Sequence, residues 1–433
     1  MFLDRRAKMK KAETIKEIYK AFAPEKFLVK EDEEFYVDLY KRDLRRFVNE
    51  LEENEIPTKS FFIAGQSGNG KSTILSLLDT KHPSLKDKYE LRYLSGKIIF
   101  QYADIHLIDI LLMIGSHLIQ DNETLQKKYF DELNKLQESH DGILQIDTTK
   151  INNQEKEGKA SASLGLEINF LNIFKSKGTL ESSYKENDAL RDTARRIFKT
   201  KASDLIRIIN DIILDYKVEN NDKEILLIID DLEKKEDIDN LYLRELQHLD
   251  SINMVKIITM PIHLRRTQTF NNKDVREFAL KLNDFDGDSN KNDKKLLEEV
   301  VKQRIGNLEL ISSATIDKAI EYSGGNLRQL IRLIQLSANE ADTFGAKQIE
   351  GKEMKYAIEF LQRGLSSPTM IMQTFLKEIL ETKTLKNDTK ESLEKLGEAI
   401  NMGLIFAYFN GKIWYEINPL IRNILEDYLK TSK

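Results

Sequence analysis

Gly65-Gln66-Ser67-Gly68-Asn69-Gly70-Lys71-Ser72-Thr73 carries the spacing G-x-x-x-x-G-K-S, with apolar Phe61-Phe62-Ile63-Ala64 before it and the helix-compatible run Ile74 to Leu78 behind it. Glycines so spaced let the backbone curl until successive N–H groups face an anion, and the positive end of the following helix adds to them. The whole stretch, Gly65 through Thr73, is the expected phosphate-binding loop. Lys71 is expected to reach the β- and γ-phosphates of a nucleotide and Ser72 to offer its hydroxyl to Mg²⁺. Thr73 is better suited to a local bond. A second motif, Ile228-Ile229-Asp230-Asp231-Leu232-Glu233, ends a strongly apolar run in carboxylates. At the carboxyl end of a buried strand, Asp230 suits a Mg²⁺ ligand, while Asp231 or Glu233 suits the base that orients and deprotonates an attacking water.

These residues need a sheet behind them. Apolar runs recur between helical patterns at Phe61 to Ala64, Lys97 to Tyr102, Ile225 to Ile229, Val255 to Met260 and Phe278 to Leu282, an alternation that predicts an α/β fold with a parallel sheet. The runs at 225–229 and 255–259 are nearly continuous, as strands covered on both faces should be. Residues 1–55 read as a helical lead-in, with Glu31 to Glu34 as a solvated turn. The phosphate-loop core spans 56–290. It holds an insertion at about 121–195: a helix over Asn122 to His140, a polar stretch over Asp147 to Gly158, and a strand or hairpin from Ala160 with Gly178 in its turn. A single long helix is predicted from Asp188 to Tyr216. Residues 291–365 form a helical lid. From about Ser366, with Pro368 in a first helical turn, the chain predicts two helices, a hairpin at Phe406 to Tyr415 with Asn410-Gly411 in its turn, and a closing helix, which together suggest a winged helix.

The chain has 433 residues, 40% of them hydrophobic, which is room for two or three domains. It has no cysteine, so disulfides, Cys-ligated zinc and thiol nucleophiles are excluded. No apolar stretch approaches the roughly 20 residues that span a bilayer, and Met1 to Lys11 lacks a signal core, so no membrane contact and a cytoplasmic location are expected. A net charge of −5 provides no global field for nucleic acid.

The order of these parts resembles an AAA+ ATPase of the Orc/Cdc6-like and STAND-like branch. The resemblance rests on the phosphate loop, the Asp230-Asp231 strand end, the strand ending at Thr259, and Ser323-Gly324-Gly325-Asn326-Leu327-Arg328 in the lid. It covers residues 35–433 apart from the insertion, and it implies a P-loop NTPase sheet, a helical lid and a winged helix in that order. It also implies that Thr259 occupies the first sensor position and Arg328 the second, reaching from the lid toward the γ-phosphate. A guanidinium suits that task because its rigid fork makes two bonds at once. The family usually places glutamate after the metal-binding aspartate; here that residue is Asp231, which implies slow hydrolysis or a nucleotide-held switch. A trans-acting arginine finger is implied near the end of the helix after the Thr259 strand, with Arg265, Arg266 and Arg276 as candidates.

Some motifs are decoys. Asn290-Lys291-Asn292-Asp293 matches N-K-x-D of guanine-reading proteins, but no D-x-x-G follows the strand at Ile225, so ATP is the expected nucleotide. Asp284, Asp286 and Asp288 imitate a calcium loop, yet Ser289 holds its glycine position and Lys295 its closing-glutamate position. The six histidines lack metal-ligand pairing. Two functions then remain. In one, ATP binding and hydrolysis switch assembly with a protein partner and with further copies of the chain, as in STAND-like ATPases of bacterial anti-phage systems. In the other, the chain is a DNA-binding AAA+ ATPase akin to replication initiators or transposition regulators, touching the duplex through its winged helix. Lys352 to Lys433 carries 12 Lys plus Arg against 11 Asp plus Glu, a poor field for neutralising phosphates, which favours the switch.

Overall fold

The computed structural model describes residues 8–96, 105–119, 122–138, 188–232, 238–283, 285–288, 290–409 and 411–431. The strand expected over Lys97 to Tyr102, the polar stretch over Asp147 to Gly158 and the hairpin expected from Ala160 to Gly178 lie outside them, apart from the Ser95-Gly96 approach to the first. Five strands, β1 (Ser60–Ala64), β2 (Tyr89–Ser95), β3 (Glu224–Asp230), β4 (Val255–Met260) and β5 (Asp274–Glu277), form a sheet in the order β2-β3-β4-β1-β5. The α/β class is as expected. Two strands sit where sequence did not place them: β2 precedes the predicted 97–102 run, and β5 ends one residue before Phe278, whose N–H donates to Ala64 O at 3.1 Å.

Two compact units divide the chain. One comprises residues 52–61 and 84–259. Here β2 and β3 pair in parallel from Tyr89↔Glu224 to Ser95↔Asp230, and β3 and β4 pair in parallel from Leu226↔Val255 to Ile229↔Ile258. Every residue of β4, and all of β3 but Glu224, is buried. Central strands lose both faces to packing, which is why their sequences run apolar without alternation. Lys256 is the exception within β4; its ammonium is satisfied by Thr58 O, Ile252 O and Met254 O at 3.0, 2.9 and 2.8 Å. Helices Leu107–Ile119 and Ala202–Glu219 pack together and bury Leu111, Leu112, Ile209 and Ile212. The single helix predicted from Asp188 is two, Asp188–Phe198 and Ala202–Glu219, broken at Lys199 to Lys201. Asp109, fully buried, accepts two hydrogen bonds from Arg195 Nε at 3.0 and 3.1 Å and one from Arg195 Nη2 at 2.6 Å.

The other unit comprises residues 1–51, 62–83 and 260–433. Helix α1 (Ile15–Ala21) is capped by Thr14, whose hydroxyl accepts from Glu17 N, and helix α2 (Lys41–Glu53) buries Leu44, Phe47, Val48 and Leu51. The expected solvated turn at Glu31 to Glu34 is instead part of a 3-10 helix, Lys30–Phe35. Asp32 within it is buried because its carboxylate accepts the Met9 N–H at 2.8 Å. Helices Lys291–Arg304, Ser313–Ser323, Leu327–Thr343 and Gly351–Ile371 occupy the span read as a lid. Pro368 lies inside the last of these, near its end, rather than in the first turn of a new helix. The residues before it keep helical spacing, and a proline so near a C-terminus removes only one intrahelical bond. Helices Gln373–Thr382 and Lys390–Asn401 follow, then strands β6 (Ile405–Phe409) and β7 (Ile413–Ile417), antiparallel from Ile405↔Ile417 to Phe409↔Ile413, and helix Arg422–Thr431. Gly411 in the turn has φ of +88°, a conformation in which glycine is favoured; Asn410 lies outside the described residues. This order is that of a winged helix. No described helix is long and apolar enough to cross a membrane.

Candidate nucleotide site

Strand β1 delivers the chain into the phosphate loop, and helix α3 (Lys71–Ser76) begins where the loop ends. Gly70 caps α3 in the left-handed conformation, and Gly68 has φ of +94°. A Cβ on Gly68 would fall 2.6 Å from both Arg328 Cβ and Asn326 Oδ1, so backbone angle and close approach both demand glycine there. Near Gly70 a Cβ would meet only Leu327 Cδ2, at 3.8 Å, which leaves that rim of the loop open. Lys71 is buried and its ammonium donates to Gly65 O at 2.7 Å and Gln66 O at 3.3 Å. Ser72 is half-buried in the first turn of α3. The Thr73 hydroxyl accepts the Leu28 N–H at 3.2 Å, while Ser76 Oγ donates to Leu28 O at 2.6 Å. Asn69 donates through Nδ2 to Phe278 O at 2.9 Å, and its carbonyl accepts the Tyr40 hydroxyl at 2.9 Å. Burial, with the Asp293 charge second, pushes the Tyr40 phenol far above its ordinary range, so it remains a donor.

The lid residues reach this loop. Asn326 caps helix Leu327–Thr343 by accepting from Gln329 N at 3.0 Å, and its amide donates to Ser67 O at 2.9 Å. Arg328 N donates to Gly68 O at 3.2 Å, and the Arg328 guanidinium donates to Ser67 Oγ at 2.5 Å. The hairpin reaches the loop as well. Gln66, buried in the loop, donates from Nε2 to Ile405 O and accepts from Ala407 N, both at 3.1 Å. Its carboxamide thus takes the place of a neighbouring strand's peptide group along β6. The Tyr408 hydroxyl donates to Gly324 O, and a Cβ on Gly324 would fall 2.5 Å from the Phe406 ring. Trp414 and Tyr415 of β7 are buried, Trp414 stacking at 4.6 Å on Tyr408.

In the other unit, β3 ends at Asp230 and Asp231 follows it directly, both buried. Asp230 Oδ2 accepts the Tyr93 hydroxyl at 2.5 Å. Asp231 adopts φ of +64°, a region that aspartate tolerates better than most side chains, and its N–H donates to Thr259 Oγ1 at 3.1 Å. The Thr259 carbonyl in turn accepts the Tyr242 hydroxyl. Asp230 at the end of β3, Asp231 in the turn after it and Thr259 on the adjacent strand β4 are therefore brought together, with Thr259 holding the acidic turn in shape. Glu233 lies outside the described residues.

Each arginine-finger candidate has a partner within the chain: Arg265 Nε donates to Glu277 at 2.8 Å, Arg266 Nε to Asp388 at 2.8 Å, and Arg276 to Glu50. Asn290 of the N-K-x-D tetrapeptide is a helix cap, accepting from Asp293 N at 3.2 Å, and Asp293 accepts from Lys281 N at 3.0 Å. Local capping thus accounts for that motif. Asp284 and Ser289 of the calcium-like loop lie outside the described residues. Tyr93, Gln66 as a hairpin contact and Asn326 as a loop contact were not anticipated; of these, only Asn326 had a signal, its place as a cap after Gly324-Gly325.

No protein-family model and no curated protein matches this chain. Its structural neighbours include Orc proteins. An Aeropyrum pernix Orc1 protein, solved in complex with DNA, is 10% identical, with 91% of this chain and 94% of that chain covered at a TM-score of 0.40. A Drosophila ORC chain, solved bound to DNA, is 11% identical over 99% of this chain and 95% of its own, again at 0.40. The Aeropyrum pernix ORC2 protein, solved as ADPNP-ADP complexes, is 11% identical over 95% and 98%, also at 0.40.

Proposed function

We propose that the chain is an ATP-dependent switch of the AAA+/STAND-like kind, in which the state of the phosphate loop sets the position of the lid and of the winged hairpin. The observation that carries this is Gln66. The residue lies inside the phosphate-loop motif, yet its side chain is bonded to both Ile405 and Ala407 of β6. Lys71 holds the backbone carbonyls of Gly65 and Gln66, and Arg328 holds the Ser67 hydroxyl. A phosphate entering the loop competes for both cations, so binding loosens the bonds that seat Gln66 and the lid turn. The glycines at 68 and 70, one buried lysine and one lid arginine suit a polyphosphate in number and sign.

When bound, ATP with Mg²⁺ supplies the phosphoanhydride whose hydrolysis resets the switch. Gly65 to Thr73 is assigned to its phosphates, Ser72 and Asp230 to the metal, and Asp231, or else Glu233, to the attacking water. Thr259 positions the acidic turn, and Arg328 reports the γ-phosphate to the lid. The division into a lead-in (1–55), ATPase core (56–290), lid (291–365) and winged helix (366–433) is part of the same proposal, with the lid's last helix running on past Pro368.

Nucleotide-dependent assembly with further copies of the chain and with a protein partner, in a setting such as anti-phage defence, fits better than a duplex seated on the winged helix. The near-neutral charge of residues 352–433 and the burial of Trp414 and Tyr415 support that preference. The test is the molar mass of the purified protein by light scattering after size exclusion, with ATP-Mg²⁺, with ADP and without nucleotide, each with and without duplex DNA. A larger species with ATP alone is the expected result. A mass that ignores nucleotide would overturn the switch.

A further inference from the structure

Helix Gly351–Ile371 buries one side through Met354, Ala357 and Ile358, yet its other side is apolar as well. Phe360, Met370 and Ile371 are 43%, 51% and 76% exposed, three of the twelve large hydrophobic side chains exposed among the described residues. Such residues scattered singly need no explanation, but three on one helix do. At about 100° per residue, Tyr356, Phe360, Gly364, Ser367, Met370 and Ile371 fall within a stripe roughly 120° wide. The Tyr356 and Phe360 rings lie 6.2 Å apart within it. Between residues 356 and 371, Arg363 is the one charged residue of the stripe, and its long stem suits an apolar rim.

Gly364 lies exposed in the middle of this stripe, and a Cβ there would meet nothing within 4 Å. Glycine inside a helix is less favourable than alanine, and no described residue uses the space it leaves. Pro368, four positions on, has no N–H, so the Gly364 carbonyl also lacks its ordinary helical donor. Bare backbone flanked one turn away on each side by exposed Phe360 and Ser367 is what a second helix crossing closely requires.

The spacing within the stripe says whose helix that is. A two-fold axis perpendicular to the helix, midway between residues 365 and 366, sets Phe360 opposite Ile371 and Gly364 opposite Ser367, and each pairing then occurs twice. Self-complementarity of this kind is the mark of an isologous contact between identical chains. The small pair sits at the crossing, where backbones can approach to about 8 Å, and the Ser367 hydroxyl of one copy is brought to the Gly364 carbonyl that Pro368 leaves without its donor. A partner of another sequence would need no such symmetry. The stripe from Tyr356 to Ile371 is about 22 Å long and about 10 Å wide, well short of the roughly 800 Å² per partner that a standing dimer buries. That size suits an association which a second event must trigger. We infer that helix Gly351–Ile371 docks a second copy of this chain, antiparallel, crossing at Gly364 and Ser367. Nucleotide control of the contact rests on the proposed switch; the contact itself does not.

The chain has no cysteine, so thiols can be introduced one at a time. Phe360→Cys and Ile371→Cys, both at exposed positions, are made separately, mixed in equal amounts and oxidised in ATP-Mg²⁺, in ADP and without nucleotide, and covalent dimers are measured on a non-reducing gel. Antiparallel docking puts position 360 of one copy beside position 371 of the other, within the ~7 Å Cα separation a disulfide tolerates, whereas like positions stand about 16 Å apart. The mixture should link, most strongly in ATP-Mg²⁺, and neither variant should link alone. Ser367→Arg added to both should cut linking about tenfold, because it drives two guanidinium groups into the crossing. Calorimetric ATP affinity of the same variants should match wild type, so a failure of the nucleotide site would show separately. Equal linking in all three nucleotide conditions would uphold the contact and remove only its control. Either variant linking by itself would overturn the antiparallel contact. So would ATP binding with no linking by the mixture, which would give this face to a different protein.

Discussion

Replacing Gln66 with alanine removes the only group in the phosphate loop that bonds to β6 in both directions, and the cost can be worked from what is left behind. Ile405 and Ala407 are essentially fully buried, so the Ile405 carbonyl and the Ala407 N–H would each lose a partner at 3.1 Å with little access to water. An orphaned buried polar group costs roughly 1–3 kcal/mol, which gives about 2–6 kcal/mol for the pair before relaxation. A water entering the space vacated by the carboxamide would recover part of this, so about 2 kcal/mol is a conservative expectation. That corresponds to roughly a 30-fold rise in the population of hairpin-open states. Hydrogen exchange of the peptide spanning Leu404 to Phe409, followed without nucleotide, reads it directly. The Ala407 amide should lose about 1.5 decades of protection in Gln66→Ala, and adding ATP should then change its exchange far less than in wild type. Unchanged protection would refute the coupling of loop and hairpin, because the bond would then hold nothing in place.

Other outcomes follow from the same geometry. Asp231→Ala should leave ATP affinity near wild type while slowing phosphate release at least tenfold in a steady-state assay, since the carboxylate acts on water rather than on ground-state phosphate. Gly68→Ala forces a Cβ to within 2.6 Å of Arg328 Cβ at a φ of +94° and should cost about 1–3 kcal/mol, seen as a lower Tm together with weaker ATP binding. Asp109→Ala removes the buried carboxylate that accepts three hydrogen bonds from the Arg195 guanidinium and should destabilise its unit by about 3–5 kcal/mol in a denaturant titration, with the phosphate loop's own contacts intact.

What sequence revealed and what it hid divide along physical lines. The phosphate loop, β3 and β4 were legible because glycine spacing and unbroken apolar runs have few other uses. β2 was not, since Tyr89-Glu90-Leu91-Arg92-Tyr93-Leu94-Ser95 is studded with charge: it lies at the sheet edge, where Arg92 pairs with Glu90 at 2.7 Å and the Tyr216 hydroxyl donates to Glu90 at 2.5 Å. The break at Lys199 to Lys201 carries neither glycine nor proline, so apolar periodicity ran straight through it. Pro368 misled in the opposite sense, because its ring is tolerated near a helix end as well as in a first turn. The contacts that join the candidate site to its surroundings were the least legible of all. Gln66 meets Ile405 across 339 positions, and Asn326 meets Ser67 across 259. Pairings over such separations leave no local pattern, and a carboxamide that mimics a strand edge looks like any other glutamine.

The most direct test is a titration of ATP-Mg²⁺ into wild-type protein and into Lys71→Ala, followed calorimetrically. Wild type should bind saturably at one site per chain, and Lys71→Ala should show no measurable binding, because the ammonium that neutralises the phosphates is gone. Equal affinity in the two proteins would contradict the assignment of Gly65 to Thr73 as the nucleotide site, and the switch with it.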